Sequence, residues 1–261
     1  MATKNETNSV ELTVIIHIYN NQEALNLQIQ HWEDWDFIPG LELIFIDDCS
    51  SPALDLDRVP CWVRKIIICD DIPWNQPGAK NLGASLALGS WLLFLDADQV
   101  FTKNDIYFLI HELPQLEHQT LYRFERRCAK TQNSLIVHQN CHLISKFDYD
   151  NFGGYDEDFA GNYGHEDAYF ERLWKFKGGK IAIFNQPYLI DFSSLETKGL
   201  NRDGRLNELL RRKKMRYWHL ISNPISKFVV NNLFILRLLI KSKIVADGRP
   251  GKQIRFNWKK V

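Results

Sequence analysis

Two carboxylates separated by a single residue are the clearest chemical feature of the chain. Asp96 and Asp98 directly follow the apolar run Trp91–Leu95. Side chains two positions apart in extended backbone point to the same side, so we expect the two carboxylates to act together. Oxygen ligands of this type suit a hard divalent cation such as Mg²⁺ or Mn²⁺. Such a cation would bridge phosphate oxygens and offset the charge that develops on a diphosphate leaving group.

Two further acidic pairs have more than one interpretation. Glu166-Asp167 opens the helical pattern AYFERLWKF, and Asp47-Asp48 follows another apolar run. The helix dipole favours acidic side chains in a first turn, and an aspartate also caps helices and forms turns. A positioned carboxylate is equally a general base for a hydroxyl proton. For Asp96 and Asp98, the alternative to metal binding is a turn whose carboxylates are solvated by water.

The elements that would position these residues are strands alternating with helices. Four apolar runs have the composition of strands buried on both faces: Leu12–Ile18, Leu41–Ile46, Val63–Cys69 and Trp91–Leu95. Helical spacing between them predicts an α/β fold with a mostly parallel sheet and right-handed crossovers. Ligands bind beyond the carboxyl ends of such strands, and two of the acidic pairs fall there.

The charge is distributed unevenly along the chain. Its 32 Lys and Arg residues balance 32 Asp and Glu residues, but residues 1–197 hold 15 basic and 29 acidic residues. Residues 198–261 hold 17 basic and three acidic residues, a net charge of +14. The zero total argues against a protein that binds polyanions over its whole surface. Because no recognition motif accompanies the basic segment, nucleic acid is not an expected partner.

We expect a cytoplasmic protein whose membrane contact, if any, is peripheral and on the inner face. Five cysteines at irregular spacing give no disulfide framework. The polar residues 1–10 lack the apolar core of a secretory signal. The most apolar stretch, Phe228–Ile240, is interrupted by polar residues and is shorter than the roughly 20 residues that a spanning helix needs.

Several segments together resemble family 2 glycosyltransferases, which have the Rossmann-like GT-A fold. They are Tyr19-Asn20-Asn21, Ile46-Asp47-Asp48-Cys49-Ser50, Gly78-Ala79-Lys80-Asn81-Leu82-Gly83, Phe94-Leu95-Asp96-Ala97-Asp98 and Gly153-Gly154-Tyr155-Asp156-Glu157. Gly164-His165-Glu166-Asp167 resembles the E-D motif of the galactosyltransferase-like branch. Two departures matter. Lys80 replaces an arginine, which keeps the charge but loses the bidentate fork, and His17 replaces a small residue, which predicts a nucleotide pocket of different shape.

The resemblance, which covers about residues 10–190, implies an inverting, metal-dependent glycosyltransferase. Such an enzyme moves a sugar from a nucleotide-diphosphate sugar, with UDP favoured, to a hydroxyl of a glycan or lipid-linked saccharide in polysaccharide or glycolipid synthesis. It implies Asp167 as the catalytic base and Glu166 as a contact to the acceptor hydroxyl. It also implies that Asp98 and Asp96 hold Mn²⁺ or Mg²⁺. His219 is a candidate for a third metal ligand.

For the nucleotide, the resemblance implies a further set of contacts: Tyr19, Asn20, Asp48, Lys80, Asn81 and Asp96. Tyr19 would stack on the base, and Asp48 would accept a hydrogen bond from an imino N–H. Asp96 would lie near the ribose and Lys80 near a phosphate or an acidic loop. Asn81 and Asp47 have the alternative role of orienting their turns. Three aromatic residues are candidates for stacking on sugar rings or for core packing: Trp74, Tyr155 and Tyr163.

We expect residues 1–197 to form the catalytic domain. Its nucleotide-binding half would span about residues 10–100 and its acceptor-side half residues 101–197. Residues 198–261 would form a basic, partly amphipathic helical extension, in which residues 205–245 interleave apolar and basic side chains. This pattern fits either an anionic membrane surface or packing against the acidic body.

Two other functions remain open at this point. A nucleotidyltransferase that makes sugar nucleotides would be expected to carry a glycine-rich and basic loop after the first strand, where this chain has His17-Ile18-Tyr19-Asn20. A non-catalytic glycan or membrane adaptor could keep the same fold. Metal-dependent nucleotide binding would argue against the adaptor.

Overall fold

The computed structural model describes residues 9–261 except 34, 36–37, 193–194, 196–199, 224–232 and 251–252. The strands are β1 (Leu12–Ile18), β2 (Leu41–Asp48), β3 (Arg64–Ile68), β4 (Trp91–Leu95), β5 (Gln99–Val100), β6 (Thr120–Cys128), β7 (Ser134–Leu135), β8 (His142–Ser145), β9 (Lys180–Asp191) and β10 (Trp258–Lys260). The α-helices are α1 (Gln22–Trp32), α2 (Gln76–Leu86), α3 (Lys103–Glu112), α4 (Lys146–Phe152), α5 (Glu166–Phe176), α6 (Arg205–Ser222) and α7 (Leu233–Lys241).

One mixed sheet runs through the molecule in the order β10-β3-β2-β1-β4-β8-β6-β9-β5, with β7 paired to β6. The neighbours β3, β2, β1 and β4 are parallel, as the sequence predicts. Beyond β4 the sheet continues mainly through antiparallel pairs, and β6 and β9 form a further parallel pair. The parallel half brings the carboxyl ends of β1, β2 and β4 to one edge, which is where a ligand cleft is expected.

Alternate residues of the central strands form two cores, one on each face of the sheet. On one face Val14 and Ile16 of β1 join a cluster that includes residues of α1 and α3. On the other face Ile15 joins a cluster that includes residues of α2, α4 and α5. Gly83 permits the close approach of α2, because a Cβ there would lie 2.5 Å from Cγ2 of Ile15. Burial on both faces is why these strands are continuously apolar in sequence.

The ends of several elements differ from the sequence-based expectation. β1 and β4 have the predicted bounds, whereas β2 extends through Asp48. Helix α2 begins at Gln76, and Pro77 occupies its first turn, where a missing N–H costs no hydrogen bond. The run Lys180–Phe184 predicts a short strand, and β9 continues seven residues beyond it, to Asp191. These extensions place Asp48 and Asp191 at the carboxyl ends of strands.

Helix α6 and strand β10 of the basic C-terminal segment pack on the body. Residues of α6 pack against a cluster formed by Phe159 and by Tyr169 and Leu173 of α5. Lys214 of α6 is 1% exposed and its Nζ lies 2.6 Å from Asp156 and 2.7 Å from Asp158. β10 adds an antiparallel strand to β3. None of the helices in the described residues has the length and apolar character needed to cross a bilayer, and residues 224–232 of the amphipathic stretch lie outside the described residues.

Candidate active site

A cleft of about 280 Å³ opens at the carboxyl ends of β1, β2 and β4. It is lined by residues from those strand ends, from the start of α2 and from later loops: His17, Tyr19, Asn21, Asp48, Trp74, Asn75, Gln76, Asp96, Asp98, Gln99, Arg126, His138, Asn140, Tyr163, Asp191 and Arg202 among them. Four of the predicted site residues therefore share one cleft: Tyr19, Asp48, Asp96 and Asp98. Their common position follows from the parallel register of β1 with both β2 and β4.

One end of the cleft is formed by Asp48 and Tyr19. Asp47 turns away from it and accepts a hydrogen bond from the Ser50 backbone N–H (3.0 Å), which is the orienting role expected for it. Asp48 accepts a hydrogen bond from Nδ2 of Asn75 (3.1 Å), the residue that precedes α2. Burial raises the pKa of the Asp48 carboxyl to about 7, and the neighbouring Asp47 and Asp71 carboxylates add to the effect. The protonation of this carboxyl therefore changes near neutral pH.

The middle of the cleft contains Asp96 and Asp98. Asp96 accepts a hydrogen bond from Nδ2 of Asn140 (2.9 Å). Burial raises the pKa of the Asp96 carboxyl above its ordinary value, although the Lys80 ammonium opposes the change. A divalent cation would favour the ionised form, and two carboxylates in an open cleft leave coordination positions for phosphate and water. In the described part of the chain, no group of three or more His, Cys, Asp and Glu side chains is arranged to hold a metal ion by itself.

Beneath the cleft wall lies a buried ion pair between Lys80 and Asp167. Lys80 is 1% and Asp167 7% exposed, and Nζ lies 3.0 Å from Oδ1. Tyr155 donates its hydroxyl to the same oxygen (2.7 Å), and Gln76, which lines the cleft, donates to Oδ2 (3.2 Å). Burial by itself would raise the pKa of the Asp167 carboxyl. The Lys80 charge and these hydrogen bonds outweigh burial and hold the pKa below its ordinary value, so Asp167 is ionised at neutral pH.

Glu166, the neighbour of Asp167, has the opposite electrostatic environment. Burial raises the pKa of the Glu166 carboxyl to about 8, and repulsion from the Asp167 carboxylate adds to the shift. The pair thus consists of one ionised and one protonated carboxyl group at neutral pH. Environments that push two neighbouring pKa values apart are typical of sites that need both a proton acceptor and a proton donor. The next acidic residue of α5 after this pair is Glu171.

Three residues expected at the nucleotide lie elsewhere. Asn20 ties the end of β1 to the turn after β2, because its Oδ1 accepts from the Ser51 N–H (2.6 Å). Asn81 is buried, accepts from the Tyr155 N–H (2.9 Å) and donates to Glu157 (2.8 Å). Lys80 faces Asp167 rather than the cleft. Lys80 thus faces an acid and Asn81 holds its turn, which are the alternative roles stated for these two residues. For Asn20 the structure replaces the expected nucleotide contact with a role in tying the two turns together.

Two other candidate residues do not line the cleft, and for Tyr155 this agrees with core packing, its alternative role. Tyr155 is fully buried and stacks on Phe170 at a centroid distance of 4.4 Å, so it belongs to the core. His219 lies on α6 with its ring edge-on to Phe176 (5.2 Å) and does not line the cleft, so it is not placed to complete a metal site there.

The cleft also contains polar residues that sequence reasoning missed. Asp191 at the end of β9 accepts hydrogen bonds from Gln99 (2.8 Å) and Arg126 (2.6 Å). Asn140 joins the cleft through its bond to Asp96. An acid directly after an apolar strand was the feature that identified Asp96, and the same feature would have identified Asp191 if β9 had been predicted at its full length. Nothing in the local sequence marks Asn140 or Arg126.

Two aromatic side chains and an arginine lie together at one side of the cleft. Trp74 and Tyr163 contact each other at a centroid distance of 4.7 Å, and the Arg202 guanidinium lies 5.8 Å and 5.7 Å from their rings. Trp74 also donates its indole N–H to the Asn201 carbonyl (2.9 Å). Two of the three aromatic residues predicted to stack on sugar rings are thus at the cleft. The rings present flat apolar faces, and the guanidinium lies within reach of the ring quadrupoles.

Comparison with known proteins gives consistent results for the family and the fold. Residues 13–185 match glycosyl transferase family 2. The amylovoran biosynthesis glycosyltransferase AmsB of Erwinia amylovora is 28% identical over 120 residues, which are 44% of this chain and 40% of AmsB. TarS residues 1–349 from S. aureus, solved in complex with UDP-GlcNAc, align with a TM-score of 0.60 at 12% identity over 82% of this chain and 67% of that one. A further TarS structure gives 0.54 at 12% identity over 84% of this chain and 45% of that one. At such low identity the structural likeness shows the fold alone, and it confirms the expected GT-A architecture.

Proposed function

Because the chain belongs to glycosyl transferase family 2, we propose that it transfers a sugar from a nucleotide-diphosphate sugar to a hydroxyl of a glycan or lipid-linked saccharide. The observation that carries this proposal is the cleft that joins Asp48, Asp96 and Asp98, with ionised Asp167 directly behind Gln76. A UDP-sugar is the favoured donor, since TarS residues 1–349 were solved with UDP-GlcNAc. The name of AmsB supports a role in polysaccharide synthesis.

The nucleotide would occupy the end of the cleft that contains Tyr19 and Asp48. The Tyr19 ring offers a face for base stacking, and its hydroxyl is held by a hydrogen bond to Asp71 (3.0 Å). Ionised Asp48 would accept a hydrogen bond from the imino N–H of uracil, and the Asn75 amide holds it in place. Asp96 would lie near the ribose. A Mn²⁺ or Mg²⁺ ion held by Asp98 and Asp96 would neutralise charge on the diphosphate.

Asp167 would act as the base in a single displacement that inverts the anomeric carbon. The acceptor hydroxyl attacks from the side opposite the leaving diphosphate while Asp167 takes its proton. Lys80 and Tyr155 keep Asp167 ionised and fixed before the reaction. Protonated Glu166 would donate a hydrogen bond to an acceptor oxygen, as its raised pKa permits. The hydrogen bond from Gln76 to Asp167 would be replaced by one from the acceptor hydroxyl.

A transfer assay with a panel of UDP-sugars, Mn²⁺ and saccharide acceptors tests this proposal directly. The expected products are free UDP and an elongated acceptor of inverted anomeric configuration. Formation of pyrophosphate from a nucleoside triphosphate and a sugar phosphate would instead identify a nucleotidyltransferase. A protein that binds no nucleotide under any of these conditions would contradict both enzymatic functions and favour the adaptor.

Asp98→Asn is expected to remove metal-dependent nucleotide binding. UDP with Mn²⁺ should raise the apparent melting temperature of the wild-type protein, because a ligand that binds only the folded state stabilises it. In the variant, the increment that Mn²⁺ adds to stabilisation by UDP should disappear. Asp105→Asn, which changes a half-buried carboxylate in the capping box of α3, is the matched control and should keep that increment. An Asp98→Asn protein that responds to Mn²⁺ like the wild type would contradict the assignment.

Donor binding is expected to weaken as the pH falls below about 7. The pKa of Asp48 is raised to about 7, so acidification protonates the carboxyl that accepts the imino N–H. The KM for a UDP-sugar should therefore rise about tenfold for each pH unit below that value, while Asp48→Asn should show a high KM that no longer depends on pH in this range. The measurement is KM against pH from 5.5 to 8. A wild-type KM that is constant over the range would contradict the role of Asp48.

A further inference from the structure

The outward surface of the C-terminal segment combines basic and apolar side chains that take no part in the candidate active site. Six exposed residues form this basic-apolar surface: Arg216 of α6, Arg237, Leu238 and Lys241 of α7, and Lys243 and Ile244 just after α7. Leu238 is 48% and Ile244 52% exposed. A hydrogen bond from Arg216 to the Ile244 carbonyl (3.4 Å) joins the two parts into one surface.

The surface is anchored to the body through the residues that follow it. Val245 is buried, and the Gly248 carbonyl accepts hydrogen bonds from Tyr169 (3.0 Å) and Trp218 (3.0 Å). A Cβ at Gly248 would lie 2.6 Å from both neighbouring aromatic rings, so the chain is held close against α6. The chain that directly follows Ile244 is therefore fixed on the body at Val245 and Gly248, while Leu238 and Ile244 stay exposed.

The cations of this surface differ from the other basic residues of the segment. Lys214 and Arg212 are ion-paired with Asp156 and Glu208 respectively. Within the residues that the structure describes, Arg216, Arg237, Lys241 and Lys243 form no ion pair with a carboxylate. Carboxylates of the acidic body therefore do not neutralise these four cations, which can interact with an external anion.

We propose that this basic-apolar surface binds the surface of an anionic lipid bilayer. Arg237 and Lys241 are one helical turn apart with Leu238 beside them, so an apolar side chain can enter the acyl region while the cations reach the headgroups. An acidic protein would neutralise the charges but would need a shaped pocket for each exposed apolar side chain. A bilayer accepts both without shape complementarity. Basic residues near such a surface each contribute to binding through the negative surface potential.

Co-sedimentation of the full chain with vesicles tests the proposal. Vesicles that contain phosphatidylglycerol in phosphatidylcholine should bind the protein, pure phosphatidylcholine vesicles should bind it at least tenfold more weakly, and salt should weaken the binding. Lys241→Glu with Lys243→Glu should lower the partition coefficient at least tenfold. Leu238→Ser with Ile244→Ser should lower it while keeping the salt dependence.

The control is a charge reversal elsewhere in the same basic segment. Lys259→Glu with Lys260→Glu changes two exposed lysines of β10, which lie outside the basic-apolar surface. It should keep vesicle binding within about twofold of the wild type, apart from the general effect of net charge. The proposal would be overturned if the Lys241→Glu/Lys243→Glu variant and the Lys259→Glu/Lys260→Glu control lost vesicle binding equally. Equal binding of the wild type to both kinds of vesicle would also overturn it. A protein that binds an oligonucleotide but does not bind vesicles would overturn it as well. None of these variants touches the cleft, so loss of vesicle binding and failure of the transfer assay are separate outcomes.

Discussion

Replacing Asp167 with asparagine is expected to lower kcat about 10²–10⁴-fold while leaving UDP binding intact. An amide cannot accept the proton of the attacking hydroxyl, but it keeps nearly the same size and still accepts hydrogen bonds from Tyr155 and Lys80. Asp167 does not line the nucleotide end of the cleft, so the melting-temperature rise caused by UDP and Mn²⁺ should persist. The measurement is kcat and KM for both substrates, with the UDP-induced shift recorded on the same preparation.

The control for Asp167→Asn is a buried aspartate outside the site. Asp148 is also 7% exposed, and it accepts hydrogen bonds from Gln119 (2.8 Å) and Ser145 (2.5 Å) near the start of α4. Asp148→Asn should lose stability through the same loss of a buried, hydrogen-bonded charge, yet it should keep kcat within about threefold. If Asp167→Asn kept wild-type kcat, or if both variants lost activity equally, Asp167 would not be the base.

The parts of the site that lie at strand ends were predictable from sequence. Apolar runs that are buried on both faces identify the central strands, and a carboxylate just after such a run must lie at the edge where parallel strands end. This argument places Asp48, Asp96 and Asp98 in one cleft, as the structure shows. It depends only on local pattern and on a general property of parallel sheets.

The long-range contacts between the helices on one face of the sheet were not predictable in the same way. Lys80 and Asp167 are separated by 87 residues, and their ion pair depends on how α5 packs against α2. Asn81 sits in the same motif as Lys80 but faces the loop at Gly154, where a Cβ would lie 2.6 Å from its Oδ1. Neighbouring positions of a helix point in different directions, so a motif can identify the helix without assigning its side chains to the cleft.

Lys80→Met is expected to affect both stability and the pH dependence of the reaction. Removing one partner of a buried pair leaves an uncompensated charge, which typically costs about 3–5 kcal/mol. Without the ammonium, burial should raise the pKa of Asp167 above its ordinary value, because the Lys80 charge is what opposes burial. Asp167 would then retain its proton at a higher pH. The acid limb of kcat should move to higher pH, and kcat at neutral pH should fall at least tenfold.

The sign of the stability change can be checked by urea unfolding at two pH values. In the wild type the folded-state pKa of Asp167 is depressed, so its contribution is present above the unfolded-state pKa and disappears as the pH falls through the folded-state value. In Lys80→Met the folded-state pKa of Asp167 is raised above the unfolded-state pKa. The folded variant therefore becomes more stable as the pH falls from its folded-state pKa toward the pKa of a free carboxyl. The difference in unfolding free energy between the two proteins should therefore be larger at pH 7.5 than at pH 5.

Two further lysine variants separate the electrostatic role of Lys80 from its contribution to packing. Lys80→Arg keeps the charge and should restore the acid limb toward its wild-type position, even if the bulkier guanidinium reduces stability in a site that is 1% exposed. Lys214→Met removes another lysine that is 1% exposed and paired with aspartates. It should lose stability without moving the acid limb. A shift of the limb in Lys214→Met, or its absence in Lys80→Met, would mean that Lys80 supports the fold without setting the protonation of Asp167.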